Sequence, residues 1–151
     1  MNLAWLDPLL APWRLLVRGL EHLQPLAQLA ARLYAGQVFF LSGLTKINDW
    51  DTTLTLFTED YHVPLLPPAL AAVMGTAGEL VLPVLLVLGL GGRFAAIGLS
   101  VVNLMAVLSL ADIAPQALQQ HVFWGSLLLA LVLWGPGAWS LERLLPPVST
   151  G

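Results

Sequence analysis

The stretch Leu66–Leu90, LPPALAAVMGTAGELVLPVLLVLGL, carries a single charged residue, Glu79. A helix that crosses a bilayer needs roughly 20 mainly apolar residues. This run supplies them, with prolines at its start and glycines at its end, where a helix begins and stops. Three more runs pass the same test: about Leu26–Leu44, about Phe94–Ala111 and about Gln120–Trp139. No Asp, Glu, Lys or Arg falls within Phe94–Ala111 or Ile113–Leu141. Turn signals separate the runs, at Asn48-Asp49, from Pro64 to Pro68, at Gly89-Leu90-Gly91-Gly92 and from Asp112 to Pro115. Only helices or closed barrels satisfy their backbone in hydrocarbon, and the alternation of a barrel strand is not seen. The expected fold is an all-α membrane protein, a four-transmembrane-helix antiparallel bundle.

Composition agrees. Of 151 residues, 58% are hydrophobic and 10% charged, against about 25% charged in an ordinary soluble domain. Six Lys and Arg stand against nine Asp and Glu, which leaves no basic footprint for nucleic acid. Cysteine is absent, so disulfides, thiolate catalysis, Cys-ligated zinc and iron–sulfur clusters are excluded.

Cations set the orientation. Arg14, Arg18, Arg32, Arg93 and Arg143 fall on one side if both termini share it, and the other side holds Lys46 with Asp49, Asp51, Glu59, Asp60 and Asp112. The positive-inside rule then puts both termini in the cytoplasm, with the bilayer as first partner. Residues 1–25 are not a span. Trp5, Leu6, Leu9, Leu10, Trp13, Val17 and Leu20 recur at helical spacing among Asp7, Arg14, Arg18 and Glu21, which reads as an amino-terminal interfacial amphipathic helix. Pro25 is placed at the start of the first span. Residues 26–145 form the transmembrane domain and 146–151 a tail.

Ionisable residues inside a span cost several kcal/mol unless paired or hydrated, which makes them candidate site residues. Arg32 lies about 9 Å beyond Pro25 along its helix, and Glu79 sits near the middle of the second span. An Arg32–Glu79 ion pair across the first hairpin is therefore expected, either registering the bundle or forming a proton-handling site. Pro83 removes the helical donor of the Glu79 carbonyl, adding to a polar niche. Arg32, Gly36, Phe39, Gly43 and Lys46 follow one helical track, whose glycines admit a helix or a flat ring. Gln37 and Asn103 are near mid-span amides, and His121 opens the fourth span on the outer side. No two histidines face each other at mid-span, so a bis-His haem is not expected. The acidic segment Lys46–His62 matches no calcium or zinc spacing and reads as a solvated, partner-facing loop, with no metal site.

The run Arg32-Leu33-Tyr34-Ala35-Gly36-Gln37-Val38-Phe39-Phe40-Leu41-Ser42-Gly43-Leu44-Thr45-Lys46 resembles the first helix of the DoxX family. Tyr61-His62-Val63-Pro64 resembles that family's loop. Gly78-Glu79-Leu80, Pro83, Gly89-Leu90 and Arg93-Phe94-Ala95-Ala96 are similar to its second helix and the turn after it. Gly135-Pro136-Gly137-Ala138-Trp139-Ser140-Leu141-Glu142 resembles its closing motif, with Glu142 where Asp is usual. The likeness covers about residues 27–145. It implies a small bacterial inner-membrane protein. Some relatives are associated with thiosulfate:quinone oxidoreductase activity or with complexes handling sulfur and oxidative stress, while others are described only as small membrane proteins. The motif positions able to carry chemistry are Arg32, Lys46, Glu79 and Arg93.

Three functions follow as expectations. The first is a subunit of a redox-associated complex that binds quinone or quinol. Glu79, Arg32 and His121 would then handle protons or charge, and Gly36, Gln37, Phe39, Phe40, Lys46 and Asn103 would line the ligand site; electrons would come from a protein partner. The second is a non-catalytic anchor, assembly factor or scaffold for a partner enzyme or a second copy. The third is a small-solute conduit.

Overall fold

A computed structural model describes residues 7–145, and within them every regular element is helical. Residues 1–6 of the expected amino-terminal helix and the 146–151 tail lie outside the described residues. Five α-helices follow in order: α1 Asp7–Asn48, α2 Trp50–Glu59, α3 Pro68–Leu88, α4 Gly92–Leu108 and α5 Pro115–Trp134. A 3-10 turn, Leu141–Leu144, comes after them.

The interfacial segment and the first apolar run form one helix of 42 residues that continues through Pro12 and Pro25. Pro25 thus lies inside α1 rather than opening a span. The helix tolerates it because the proline frees only the carbonyl of Glu21, a residue exposed on the part of α1 whose side chains are nearly all exposed.

α3 and α5, with 21 and 20 residues, are long and apolar enough to cross a membrane, and α4 is an apolar helix of 17 residues. α1 packs on α3, α3 on α4, α4 on α5, and α5 returns to α1. The main core collects Ala31, Ala35, Phe39, Leu86, Leu99 and Leu128. On α4 the buried Ala95, Ala96, Leu99 and Asn103 alternate with the exposed Phe94, Ile97, Val101 and Leu104. Both faces of that helix are apolar, the mark of a helix whose outer solvent is itself apolar.

α1 and α3 run antiparallel in a register set by glycines. A Cβ on Gly43 would press on Leu80 and Glu79, and one on Gly36 would overlap Val87. Below them, Arg32 reaches Gly89. Each step along α1 is matched by a step back along α3. The expected track of Arg32, Gly36, Phe39, Gly43 and Lys46 is the face turned inward: the first four are buried and Lys46 is half-buried.

Lys46–His62, read as a solvated loop, is mostly helical: it holds the end of α1 and then the helix α2, which packs on α3 through Phe57, Ala71 and Ala72. Its start is specified locally. Asp49 is the N-cap and accepts from the Thr52 amide at 3.0 Å and from the Thr52 hydroxyl at 2.7 Å. These two bonds, the hydroxyl's first, hold the Asp49 carboxyl below its ordinary range. A depressed folded-state pKa gives stabilisation that is present above the unfolded value and lost as pH falls through the folded one. Amide exchange at residues 50–53 is therefore expected to speed up as pH drops below about 4, beyond its intrinsic pH dependence. Asp49→Ala should show that faster exchange already at neutral pH; unchanged protection in the variant would refute the cap.

Candidate functional site

Between α1, α2, α3, α4 and the start of α5 lies a cavity of about 470 Å³. Its wall is largely apolar, with Phe39, Phe57, Met74, Met105 and Trp124 among the lining residues. Phe39 and Trp124 meet edge to face, with ring centroids 6.1 Å apart, and Trp124 stands in the same way 5.0 Å from His121. Gly75 contributes space from α3: a Cβ there would only touch Phe57, at 3.6 Å.

Polar groups enter the wall at two places. On one side, Lys46 Nζ donates to both carboxylate oxygens of Glu79, at 2.9 and 2.6 Å, and to Ser42 Oγ at 3.0 Å. An ammonium has three N–H donors, and these three acceptors match them. The side chains are 21% and 9% exposed, so the pair is largely withdrawn from solvent. On the other side, Asn103 Nδ2 donates to the His121 carbonyl at 3.0 Å, and Asn103 Oδ1 lies 2.8 Å from His121 Nδ1. Gly125, one turn after His121, makes room for this amide, since a Cβ there would lie 3.2 Å from Asn103 Nδ2.

The expected Arg32–Glu79 pair is not formed. Glu79 pairs with Lys46, four turns further along α1 from Arg32. Antiparallel register decides this: the residue opposite Glu79 is Gly43, and the residue opposite Arg32 is Gly89. Arg32 is 1% exposed, and its Nη2 donates to the Trp139 carbonyl. Its Nε and Nη1 have no hydrogen-bond partner among the described residues. Arg32 therefore ties α1 to the segment after α5, away from the cavity. That segment is also held by Glu142, whose amide donates to Gly89 O at 3.2 Å and whose Oε2 accepts from the Gly92 amide at 3.3 Å. Arg93 Nε donates to Val132 O at 3.2 Å and so caps the end of α5.

Of the other residues picked from the sequence, Glu79, Lys46, Phe39 and His121 line the cavity, and Asn103 holds His121 from behind. Gly36 serves helix contact, Gln37 is exposed, and Phe40 does not line the cavity. Sequence reasoning missed Ser42, Phe57, Tyr61 and Trp124. The signal for two of them was present: Trp50, Leu54, Phe57 and Tyr61 recur every three or four residues, the spacing of a helix face. Among the described residues no group of His and acidic side chains is placed to hold a metal ion.

Apolar helices with apolar outward faces, packed around a cavity with a few internal polar groups, point to a membrane protein. The chain belongs to the DoxX family, whose model matches residues 27–112. No curated protein and no solved structure matches the chain.

Proposed function

We propose that the protein is a four-span inner-membrane bundle with both termini in the cytoplasm, and that it binds a quinone or quinol head group as the membrane subunit of a redox-associated complex. One observation carries this reading: an apolar, aromatic-walled cavity of about 470 Å³ that also holds an internal ion pair and a fixed histidine. Binding sites for small organic ligands are about 300–1,000 Å³, mostly apolar, with few convergent polar groups. A flat ring suits the Phe39–Trp124 wall, and its oxygens suit the polar groups. The distribution of Arg residues supports the orientation, with the cavity towards the outer leaflet and α2 over its end. The chain has no cysteine, so in this reading the partner subunit supplies or takes the electrons.

The test is extraction of the protein purified from its native membrane in mild detergent. Quinone or quinol is expected in the extract. Gly75→Leu puts a bulky side chain against the cavity and a good helix former inside α3, so the bound quinone should disappear while thermal stability stays equal or rises. An extract free of quinone, or a Gly75→Leu protein that retains it, would overturn the proposal. A second reading, an anchor or scaffold, is favoured by the exposed Trp13, Leu16, Leu20 and Leu23 on the amino-terminal part of α1. The two roles are compatible in one subunit.

A further inference from the structure

The cavity's polar groups are not evenly divided between donors and acceptors. All three Lys46 N–H donors are matched by Glu79 and Ser42. The Asn103 amide nitrogen is committed to the His121 carbonyl, which only accepts. This fixes the amide orientation, so the oxygen facing His121 Nδ1 at 2.8 Å is an acceptor. Nδ1 must therefore carry the imidazole proton, and in the neutral ring Nε2 is left as a bare lone pair. Nε2 has no hydrogen-bond partner among the described residues, and His121 lines the cavity. The Glu79 oxygens keep further lone pairs after binding Lys46. The Ser42 and Tyr61 hydroxyls rotate and serve either role, and the indole N–H of Trp124, which also lines the cavity, donates to a carbonyl or a hydroxyl oxygen alike, so none of the three discriminates.

We infer that the cavity selects a ligand by its hydroxyl groups. It takes the reduced, dihydroxy form of an aromatic ring in preference to the diketone, with one hydroxyl donating to His121 Nε2 and Asn103 acting as the residue that fixes the tautomer. The inference rests on the proposed quinone or quinol site and names which redox form that site prefers. A diketone brings only acceptors and would set its carbonyl lone pairs against that of Nε2, an unsatisfied arrangement in a largely apolar site.

The experiment compares binding of a short-chain benzoquinol, the matching benzoquinone and the quinol's dimethyl ether to the full chain in detergent micelles. The quinol should bind about tenfold tighter than the other two, a difference expected from one good hydrogen bond and relief of one lone-pair clash. His121→Phe should remove most of this advantage, by weakening quinol binding and, with the opposing lone pair gone, by strengthening quinone binding. Asn103→Leu should shrink the advantage by releasing the tautomer. Nitrogen-15 NMR of labelled histidine in the unsubstituted protein provides a readout independent of any variant, and should show His121 protonated at Nδ1 and bare at Nε2. Equal binding of quinol and quinone, or a proton on Nε2, would overturn the inference and leave the proposed site standing. If none of the three probes binds, the proposed site falls and the inference falls with it.

Discussion

Replacing Glu79 by Leu is expected to destabilise the protein by about 3 kcal/mol, and adding Lys46→Met should return most of that loss. Leu fits the space left by Glu but removes the acceptors of two of the three Lys46 donors. The ammonium is then left beside an apolar wall. Removing one partner of a buried pair costs about 3–5 kcal/mol, and exposed pairs are worth about 1 or less. With Lys46 21% exposed, the lower end of the buried range applies. The double variant removes both charges and replaces them with side chains suited to an apolar wall, a change that is often neutral. Unfolding in mixed detergent micelles measures both proteins. A double variant no more stable than Glu79→Leu would show that the stranded charge is not the cause. On the proposed quinol site, the restored double variant should also bind quinol more weakly, because it lacks the Glu79 acceptor.

Gly89→Val should be the more damaging substitution, costing about 3 kcal/mol or more. Gly89 ends α3 with φ +69°, a left-handed conformation that β-branched residues avoid. A Cβ there would overlap Arg32 Nη1 and the Ser140 side chain, and would come within 2.9 Å of the Ser140 Cα. Moving Arg32 would also break its bond to the Trp139 carbonyl and loosen the segment that Glu142 fastens to Gly89 and Gly92. By contrast, Gly19 has open space around a would-be Cβ and lies on the exposed part of α1. Gly19→Ala should be neutral or stabilising by about 1 kcal/mol, as expected for Gly in a helix interior. Comparison of the two unfolding midpoints tests the claim, which fails if Gly89→Val lies within about 0.5 kcal/mol of the unsubstituted protein.

Both sites depend on features that differ in how far they are legible in a linear sequence. The inward track of α1 is legible, because Arg32, Gly36, Phe39, Gly43 and Lys46 repeat with the period of a helix. Glu79 as a site residue is legible from the cost of a carboxylate in an apolar run. The partner of Glu79 is not. Arg32 and Lys46 lie on the same track, and choosing between them requires the register of α1 against α3. That register depends on which glycine meets which side chain after an intervening helix, α2, has used up part of the connection. The role of Asn103 is likewise hidden, since it comes from an amide on α4 meeting one histidine on α5.

What this chain determined in one dimension is its solvent and its elements: apolar runs with at most one charge, bounded by prolines and glycines and without the alternation of a barrel strand, must be helices, because only helices and closed barrels satisfy the backbone without water. What only the folded arrangement decided is the pairing of the few polar groups. Periodicity tells which way a side chain faces, and packing between helices tells what it faces. For Arg32 the answer is the backbone carbonyl of Trp139, for Glu79 it is Lys46, and for His121 it is the amide of Asn103 on α4.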